Sequence, residues 1–190
     1  MNETFDRQPD ALLRTDPVRW RLLDVVSHMG LPDCWIAAGF IRNAVWDALH
    51  GRTAQPPCGD VDVIWFDPDR AEEAHDRNAE AALRALVPSV DWSVKNQSRM
   101  HKRNGDLPYR SATDAMRYWP ETATAVAARR SGSGQLEIAS PLGLEDLFNL
   151  VLRPTPRFAN EKRPIFEARV QAKAWMAAWP LLTQAEPLSG

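Results

Sequence analysis

Two aspartates separated by one residue, Asp60 and Asp62, are the groups in this sequence that most clearly predict chemistry. They open the run Asp-Val-Asp-Val-Ile-Trp-Phe at 60–66, which is typical of a β-strand. Because alternate residues of a strand point to one face, both carboxylates project in the same direction, roughly 6.5–7 Å apart along the chain. Carboxylates placed in this way can hold one or two Mg²⁺ ions against the phosphates of a nucleoside triphosphate.

A glycine between a predicted strand and a predicted helix precedes this pair. Residues 34–38 form an apolar run that predicts a buried strand, and 41–49 have helical periodicity. Gly39 lacks a Cβ, so a phosphate can approach its backbone closely while the free N–H groups of the next helix point at it. Arg42 lies in the first helical turn, where a cation opposes the helix dipole. Its position favours a phosphate or carboxylate partner.

The segment 95–103 is basic and contains no acid. Charge runs are usually solvated loops, but this one could also clamp a triphosphate or a polyanionic acceptor. Lys95 and Arg99 are the stronger candidates for such a clamp. His101 could act as a general base, although a lone histidine in a polar loop is more often a surface residue.

These groups must be positioned by the predicted strands and helices. Their order along the chain predicts an α/β or α+β domain, with a mixed β-sheet, flanking helices and a C-terminal helical segment. Residues up to 16 are expected to be loose, and helices are expected at 17–30 and 70–87. We expect one domain over 1–190, with a core at 17–140 and a helical segment at 141–182. Further predictions are a strand at 90–97, a basic loop at 98–110, a short helix begun by Ser111, a hairpin of 122–130 with 135–139, a helix begun by Ser140-Pro141, and a last helix at 164–179.

Composition excludes several classes of protein. The 190 residues carry a formal net charge of −2, which argues against a general nucleic-acid binder. Residues 1–90 hold 9 Lys/Arg and 15 Asp/Glu, whereas 91–190 hold 14 and 10. Two cysteines cannot form a disulfide framework, and no secretory signal or membrane-length apolar run is visible, so we expect a cytoplasmic protein. P-loop and dinucleotide-binding glycine motifs do not occur.

Three segments together resemble the signature of the DNA polymerase β-like nucleotidyltransferase superfamily, and most of all that of tRNA CCA-adding enzymes. They are Ala-Gly-Phe-Ile-Arg-Asn at 38–43, Gly-Arg at 51–52 and Asp-Val-Asp-Val at 60–63. Over about 17–180 the chain also resembles a bacterial family of nucleotidyltransferases of unnamed substrate, through 92–101, 119–124 and 143–148.

The resemblance implies a nucleotidyltransferase fold, dependence on Mg²⁺ or Mn²⁺, and transfer of a nucleoside monophosphate from a nucleoside triphosphate to an acceptor. It assigns Asp60 and Asp62 as metal ligands and places Gly39 and Phe40 at the phosphate-binding turn. Phe40 departs from the usual Gly-Ser or Gly-Gly pattern. Asn43 also departs from it, because CCA-adding enzymes carry an aspartate there.

The resemblance further requires a third carboxylate on a neighbouring strand, and the sequence leaves two candidates. Asp91 and Glu137 both lie between apolar residues, and Asp91 is preferred because its strand follows the Asp60 strand after one crossover helix. The expected acceptor is a small molecule or a protein rather than a nucleic acid, and no membrane is involved. The alternative function is a nucleotide-binding or protein-interaction domain on the same fold that transfers nothing.

Overall fold

The computed structural model describes residues 3–53, 55–131 and 133–187. Within these ranges the central sheet has five strands in the order β3-β2-β1-β4-β5, and a second, two-stranded sheet pairs β6 with β7. The strands are β1 (Trp35–Ala37), β2 (Asp60–Trp65), β3 (Asp91–Asn96), β4 (Ala127–Arg130), β5 (Leu136–Ala139), β6 (Val151–Leu152) and β7 (Thr183–Gln184).

Helices flank the central sheet, and in the described part of the chain three more follow its last strand in the sequence. They are α1 (Glu3–Thr15), α2 (Pro17–Ser27), α3 (Gly39–Leu49), α4 (Glu73–Leu86), α5 (Met100–Asn104), α6 (Ala112–Met116), α7 (Glu145–Phe148), α8 (Arg163–Lys173) and α9 (Trp175–Ala178). The mixed α/β architecture confirms the predicted fold class. None of the described helices is long and apolar enough to cross a membrane.

The alternation of β2 separates the core from the chemistry. Val61, Val63 and Trp65 are buried in the main hydrophobic core, which α2, α3 and α4 help to form. Asp60 and Asp62 lie on the other face of the strand, along one wall of an open cleft. Strand β2 pairs in parallel with β3 and antiparallel with β1, so both neighbouring strands support its register.

The structure corrects three local predictions. The N-terminal stretch is not loose, because α1 occupies Glu3–Thr15 and buries Leu13 in the core. The predicted basic loop contains helix α5, which ends at Gly105 in a left-handed conformation. In the predicted hairpin, 122–124 form a 3-10 turn, so only Ala127–Arg130 pairs with Leu136–Ala139. Gly132, in the hairpin turn, lies outside the described residues.

The C-terminal segment is also more broken than predicted. The helix begun after Ser140-Pro141 is only α7, and Val151 lies in strand β6 instead of on a helical face. The last helix divides into α8 and α9 at Ala174, whose φ of 48° is left-handed and interrupts the helical path. This break turns the chain so that Trp175 packs inward against α3.

Tryptophans attach this C-terminal segment to α3. The Trp46 ring on α3 meets Trp175 at 6.0 Å and Trp179 at 5.2 Å between ring centroids, both edge to face. Trp179 Nε1 also donates a hydrogen bond to Asp47 Oδ1 at 2.9 Å. Edge-to-face aromatic packing with a satisfied indole N–H is a stable arrangement for a buried interface. This packing holds the segment that follows α8 against α3, and α8 itself lines the cleft.

Candidate functional site

The two aspartates line a cleft of about 300 Å³ formed by β2, β3, α5, α8 and the segment from Trp119 to Thr124. Asp60 is exposed and Asp62 is half-buried, so the pair runs from the rim of the cleft inward. The lining residues are Ala38, Asp60, Asp62, Val63, Ile64, Ser93, Lys95, Gln97, Met100, Asn104, Trp119, Pro120, Thr124, Arg169 and Lys173.

The surroundings of Asp62 disfavour its ionised form. Burial, together with the neighbouring negative charge of Asp60, raises the pKa of Asp62 to about 6. Arg42, a hydrogen bond from Ser93, and Arg169 oppose this rise in pKa without cancelling it. A bound dication would relieve the repulsion between the two carboxylates, so the local chemistry fits a metal.

The described residues contain no group of three or more His, Cys, Asp or Glu arranged to hold a metal ion. Two carboxylates are nevertheless sufficient for Mg²⁺ when substrate phosphates complete its shell, because this ion keeps several waters and usually takes few protein ligands. The donor set of Asp60 and Asp62 is therefore suited to a metal that arrives with a nucleotide. It is poorly suited to a permanent structural ion.

The junction before α3 is tight for a reason that the sequence did not show. Ala38, which lines the cleft, has a φ of 56°, a left-handed conformation that is uncommon for alanine. A Cβ added to Gly39 would lie 3.3 Å from Nη2 of Arg42 and 3.6 Å from Nδ2 of Asn43. The glycine therefore makes room for the protein's own guanidinium group, whether or not a phosphate also approaches.

Arg42 does not reach the cleft surface. Its guanidinium is buried and donates hydrogen bonds to Thr124 Oγ1 at 3.0 Å and to Asn43 Oδ1 at 3.0 and 3.2 Å. It stacks on Trp46 and Trp175 at 5.0 and 4.6 Å from the ring centroids. Burial lowers the pKa of Arg42 to about 10, so the group remains charged at neutral pH. Its charge acts on Asp62 from beneath the cleft.

Two predicted nucleotide contacts lie elsewhere in the molecule. The Phe40 side chain is buried in the main core, where the Arg19 guanidinium lies 5.7 Å from its ring centroid. Arg99 forms a short ion pair with the buried Asp76 of α4 and thereby ties the end of β3 to that helix. Lys95, by contrast, lines the cleft and makes no ion pair with any described residue.

Neither candidate for the third carboxylate lines the cleft. Asp91 stands opposite Asp60 in the β2–β3 register, yet its carboxylate is 73% exposed and lies 3.8 Å from Arg84. Glu137 accepts hydrogen bonds from Arg129 at 2.6 and 3.0 Å, in a separate pocket. The residue beside Asp62 on β3 is Ser93. Among the described residues, the cleft lining therefore holds the aspartate pair and no third acid.

The sequence interpretation missed the cations that α8 adds to the cleft. Arg169 and Lys173 are one helical turn apart and both line it, while Phe166 and Val170 of the same helix are buried in the core. The i, i+4 spacing of the two cations was a visible signal. The sequence could not show that this face of the helix meets β2, because that depends on the tryptophan packing described above.

The chain is similar to a known protein family and to a solved structure. A family model described as nucleotidyltransferase matches residues 24–184. A solved structure described as revealing a CCA-adding enzyme head domain is 33% identical, with a TM-score of 0.83, over 93% of this chain and 95% of that one. No curated protein matches the chain.

Larger solved enzymes share the fold at lower identity. A CCA-adding enzyme in complex with CTP is 14% identical, with a TM-score of 0.58. The Thermotoga maritima CCA-adding enzyme complexed with tRNA is 15% identical, with a TM-score of 0.56. Each match covers 93% of this chain, but only 43% and 42% of the respective enzyme. The chain therefore spans less than half the length of these two enzymes.

Proposed function

The chain belongs to a nucleotidyltransferase family, and from this premise we propose that it transfers a nucleoside monophosphate from a nucleoside triphosphate to an acceptor hydroxyl, with Mg²⁺ or Mn²⁺ as cofactor. The observation that carries the proposal is the Asp60–Asp62 pair, placed on one face of β2 in a cleft that also holds Lys95, Arg169 and Lys173. Carboxylates for a metal and cations for phosphates meet there in a single site.

Each group has a role in this scheme. Asp60 and Asp62 would hold the divalent cation, which when bound neutralises phosphate charge and makes the acceptor hydroxyl more acidic. Lys95, which has no ion-pair partner among the described residues, would offset charge on the phosphates as they bind. Arg42 keeps Asp62 ionised from below, because its positive charge lowers the pKa of that carboxyl.

The transfer balances without a further reactant. The acceptor oxygen forms a bond to the α-phosphorus, and the bond from that phosphorus to the α,β-bridging oxygen breaks. Pyrophosphate leaves with the bridging oxygen, and the hydroxyl proton passes to water in the open cleft. The products are the nucleotidylated acceptor and pyrophosphate.

We propose a small molecule or a protein as the acceptor, in preference to a nucleic acid. The net charge is −2, and many cations of the basic half are neutralised by acids. Arg99, Arg129, Arg153 and Arg157 pair with Asp76, Glu137, Asp146 and Asp106, respectively. These pairings reduce the free positive charge that binding to a phosphate backbone requires.

Ser93 beside Asp62 favours one second candidate, a domain that binds nucleotide and transfers nothing. Label transfer separates the two. The protein is incubated with each nucleoside triphosphate, labelled on either the α- or the γ-phosphate, together with protein and small-molecule fractions of a cell extract. Transfer predicts that the α-label but not the γ-label becomes attached to an acceptor, and that Asp62→Asn abolishes the attachment. Tight nucleotide binding without α-label transfer would support the second candidate.

A further inference from the structure

Helix α8 presents a cationic edge to the cleft and an apolar edge to the core. Phe166 and Val170 are buried, whereas Arg169 and Lys173 line the cleft that contains Asp60. Lys173 is exposed and has no ion-pair partner among the described residues. The cleft therefore carries positive charge on the side contributed by α8, in addition to Lys95 on β3.

Arg169 is anchored through only one of its nitrogens. Its Nε donates a hydrogen bond to Glu121 Oε1 at 2.7 Å, and its guanidinium lies 5.5 Å from the Trp175 ring centroid. Within the described part of the chain, its two Nη nitrogens make no hydrogen bond, and the side chain is 35% exposed. Such a fixed, planar fork with free donors matches the geometry of phosphate oxygens.

Arg153, an arginine outside the cleft lining, shows a different arrangement. Arg153 donates from Nε and Nη2 to Asp146 and from Nη1 to the Glu186 carbonyl, so all three of its nitrogens are engaged. Among the described residues Arg169 uses only Nε, and its side chain lines the cleft, so its Nη donors remain for a ligand.

Glu121 provides the anchor. It is fully buried, and its second carboxylate oxygen, Oε2, has no hydrogen-bond partner among the described residues. Its negative charge also acts on Arg42, whose guanidinium lies 4.6 Å from the same Trp175 ring. One buried carboxylate thus offsets two guanidinium groups that share an indole. Burying such a charge cluster carries a desolvation cost, so its presence is weak evidence for a contribution to stability.

We propose that Arg169 and Lys173 form the binding site for the β- and γ-phosphates of the nucleotide, and that Glu121 is a positioning residue that orients Arg169 toward them. This inference rests on the proposed function, because it assigns the polyphosphate end of the same substrate. Cations in this position would offset the negative charge that develops on the leaving oxygen as pyrophosphate departs.

Calorimetry with inorganic tripolyphosphate, ATP, ADP and AMP, all with Mg²⁺, tests the assignment. Arg169→Met should weaken tripolyphosphate and ATP binding about 10- to 100-fold, and AMP binding less than about twofold, because AMP lacks the contacted phosphates. Arg169→Lys should bind tripolyphosphate and ATP more tightly than Arg169→Met but less tightly than wild type, because lysine keeps the positive charge without the planar fork of donors. Glu121→Gln should weaken binding less than Arg169→Met does, with the same dependence on phosphate number.

Arg163→Met is the matched control, since Arg163 also lies on α8 but pairs with Glu167 and Glu186. It should bind all four probes as wild type does. Equal losses for ATP and AMP in Arg169→Met, or unchanged tripolyphosphate binding, would overturn the inference. If wild type binds tripolyphosphate and ATP, and Arg169→Met binds them equally well, the polyphosphate assignment fails but the proposed function stands. If wild type binds no nucleotide, the proposed function fails as well.

Discussion

Ser93 lies directly beside Asp62 in the parallel register of β2 and β3, and a hydrogen bond from Ser93 lowers the pKa of that aspartate. A hydroxyl group therefore occupies the position beside the inner carboxylate, whereas the resemblance implied a third carboxylate on a neighbouring strand, at Asp91 or Glu137. Asp91, two residues earlier on the same strand, is directed to Arg84 at the exposed end. The site has two carboxylates in place and one neighbouring position at which a third could be introduced.

Introducing that acid is the first prediction. Ser93→Asp should bind Mn²⁺ about 5- to 10-fold more tightly than wild type does in the absence of nucleotide, because ligand charge sets affinity for divalent ions. Electron paramagnetic resonance of free Mn²⁺ measures the change. Ser93→Asn, which adds a neutral group of the same size, should show no such gain, and equal affinities for both variants would contradict the site geometry.

The second prediction concerns pH and stability. The pKa of Asp62 is about 6 in the folded state against an ordinary value of 3.8, so the folded state binds this proton more tightly. The contribution of Asp62 to stability is therefore most favourable below the ordinary pKa and is lost as pH rises from about 4 to 6.

Asp62→Asn removes this charge and should raise the free energy of unfolding by about 1–3 kcal/mol at pH values near 8, in the absence of metal. The gain should disappear near pH 3.5, approximately, where the aspartate is protonated in both states. Urea unfolding across this range measures both effects. Asp91→Asn, at an exposed carboxylate, should change stability by less than about 0.5 kcal/mol. A loss of stability in Asp62→Asn at the higher pH would show that its charge is not strained.

The third prediction uses two cations that are neighbours in sequence but have different roles. Lys95→Met should weaken nucleotide binding about 10-fold and leave stability nearly unchanged, because Lys95 lines the cleft without an ion-pair partner among the described residues. Arg99→Met should do the reverse. It leaves the buried Asp76 without its ion pair, which costs about 2–4 kcal/mol of unfolding free energy. Calorimetry and urea unfolding of both variants check this, and similar effects of the two substitutions would refute the distinction.

The fourth prediction concerns the close approach of Gly39 and Arg42. Gly39→Ala should lower the free energy of unfolding by about 1–2 kcal/mol, because the new methyl group would press on a guanidinium that is held by Thr124 and two tryptophans. In an Arg42→Met background the same substitution should cost less, by at least about 0.5 kcal/mol. A double-mutant cycle by urea unfolding measures this coupling, and strict additivity would contradict the contact.

Local sequence patterns predicted the parts of the fold that depend on local rules. The period of two in β2 placed Asp60 and Asp62 opposite Val61 and Val63, and Ser111 begins helix α6 by accepting a hydrogen bond from Asp114 N. The position of α8 at the edge of the cleft could not be predicted from local sequence patterns. It depends on the left-handed turn at Ala174, which no glycine or asparagine signalled, and on contacts between elements far apart in sequence.

Because tertiary contacts position some side chains, the sequence predicted the location of some cations correctly and of others not. Lys95 follows the alternation of β3, so its face of the sheet was predictable. Arg42 lies in a helical turn that α9 covers through Trp175, and its burial depends on a segment more than a hundred residues later. Arg99 turns toward Asp76 because β3 and α4 pack together. Its pairing is a property of tertiary structure that a charge run does not encode.

The most direct test of the central claim is nucleoside triphosphate binding by calorimetry, with and without Mg²⁺, in wild type, Asp60→Asn, Asp62→Asn and Asp91→Asn. The aspartate pair predicts that removing Mg²⁺ weakens wild-type binding at least about 10-fold, and that Asp60→Asn and Asp62→Asn lose this metal dependence. Asp91→Asn should retain it in full. Metal-independent binding by wild type, or an unchanged Mg²⁺ effect in Asp60→Asn and Asp62→Asn, would contradict the claim.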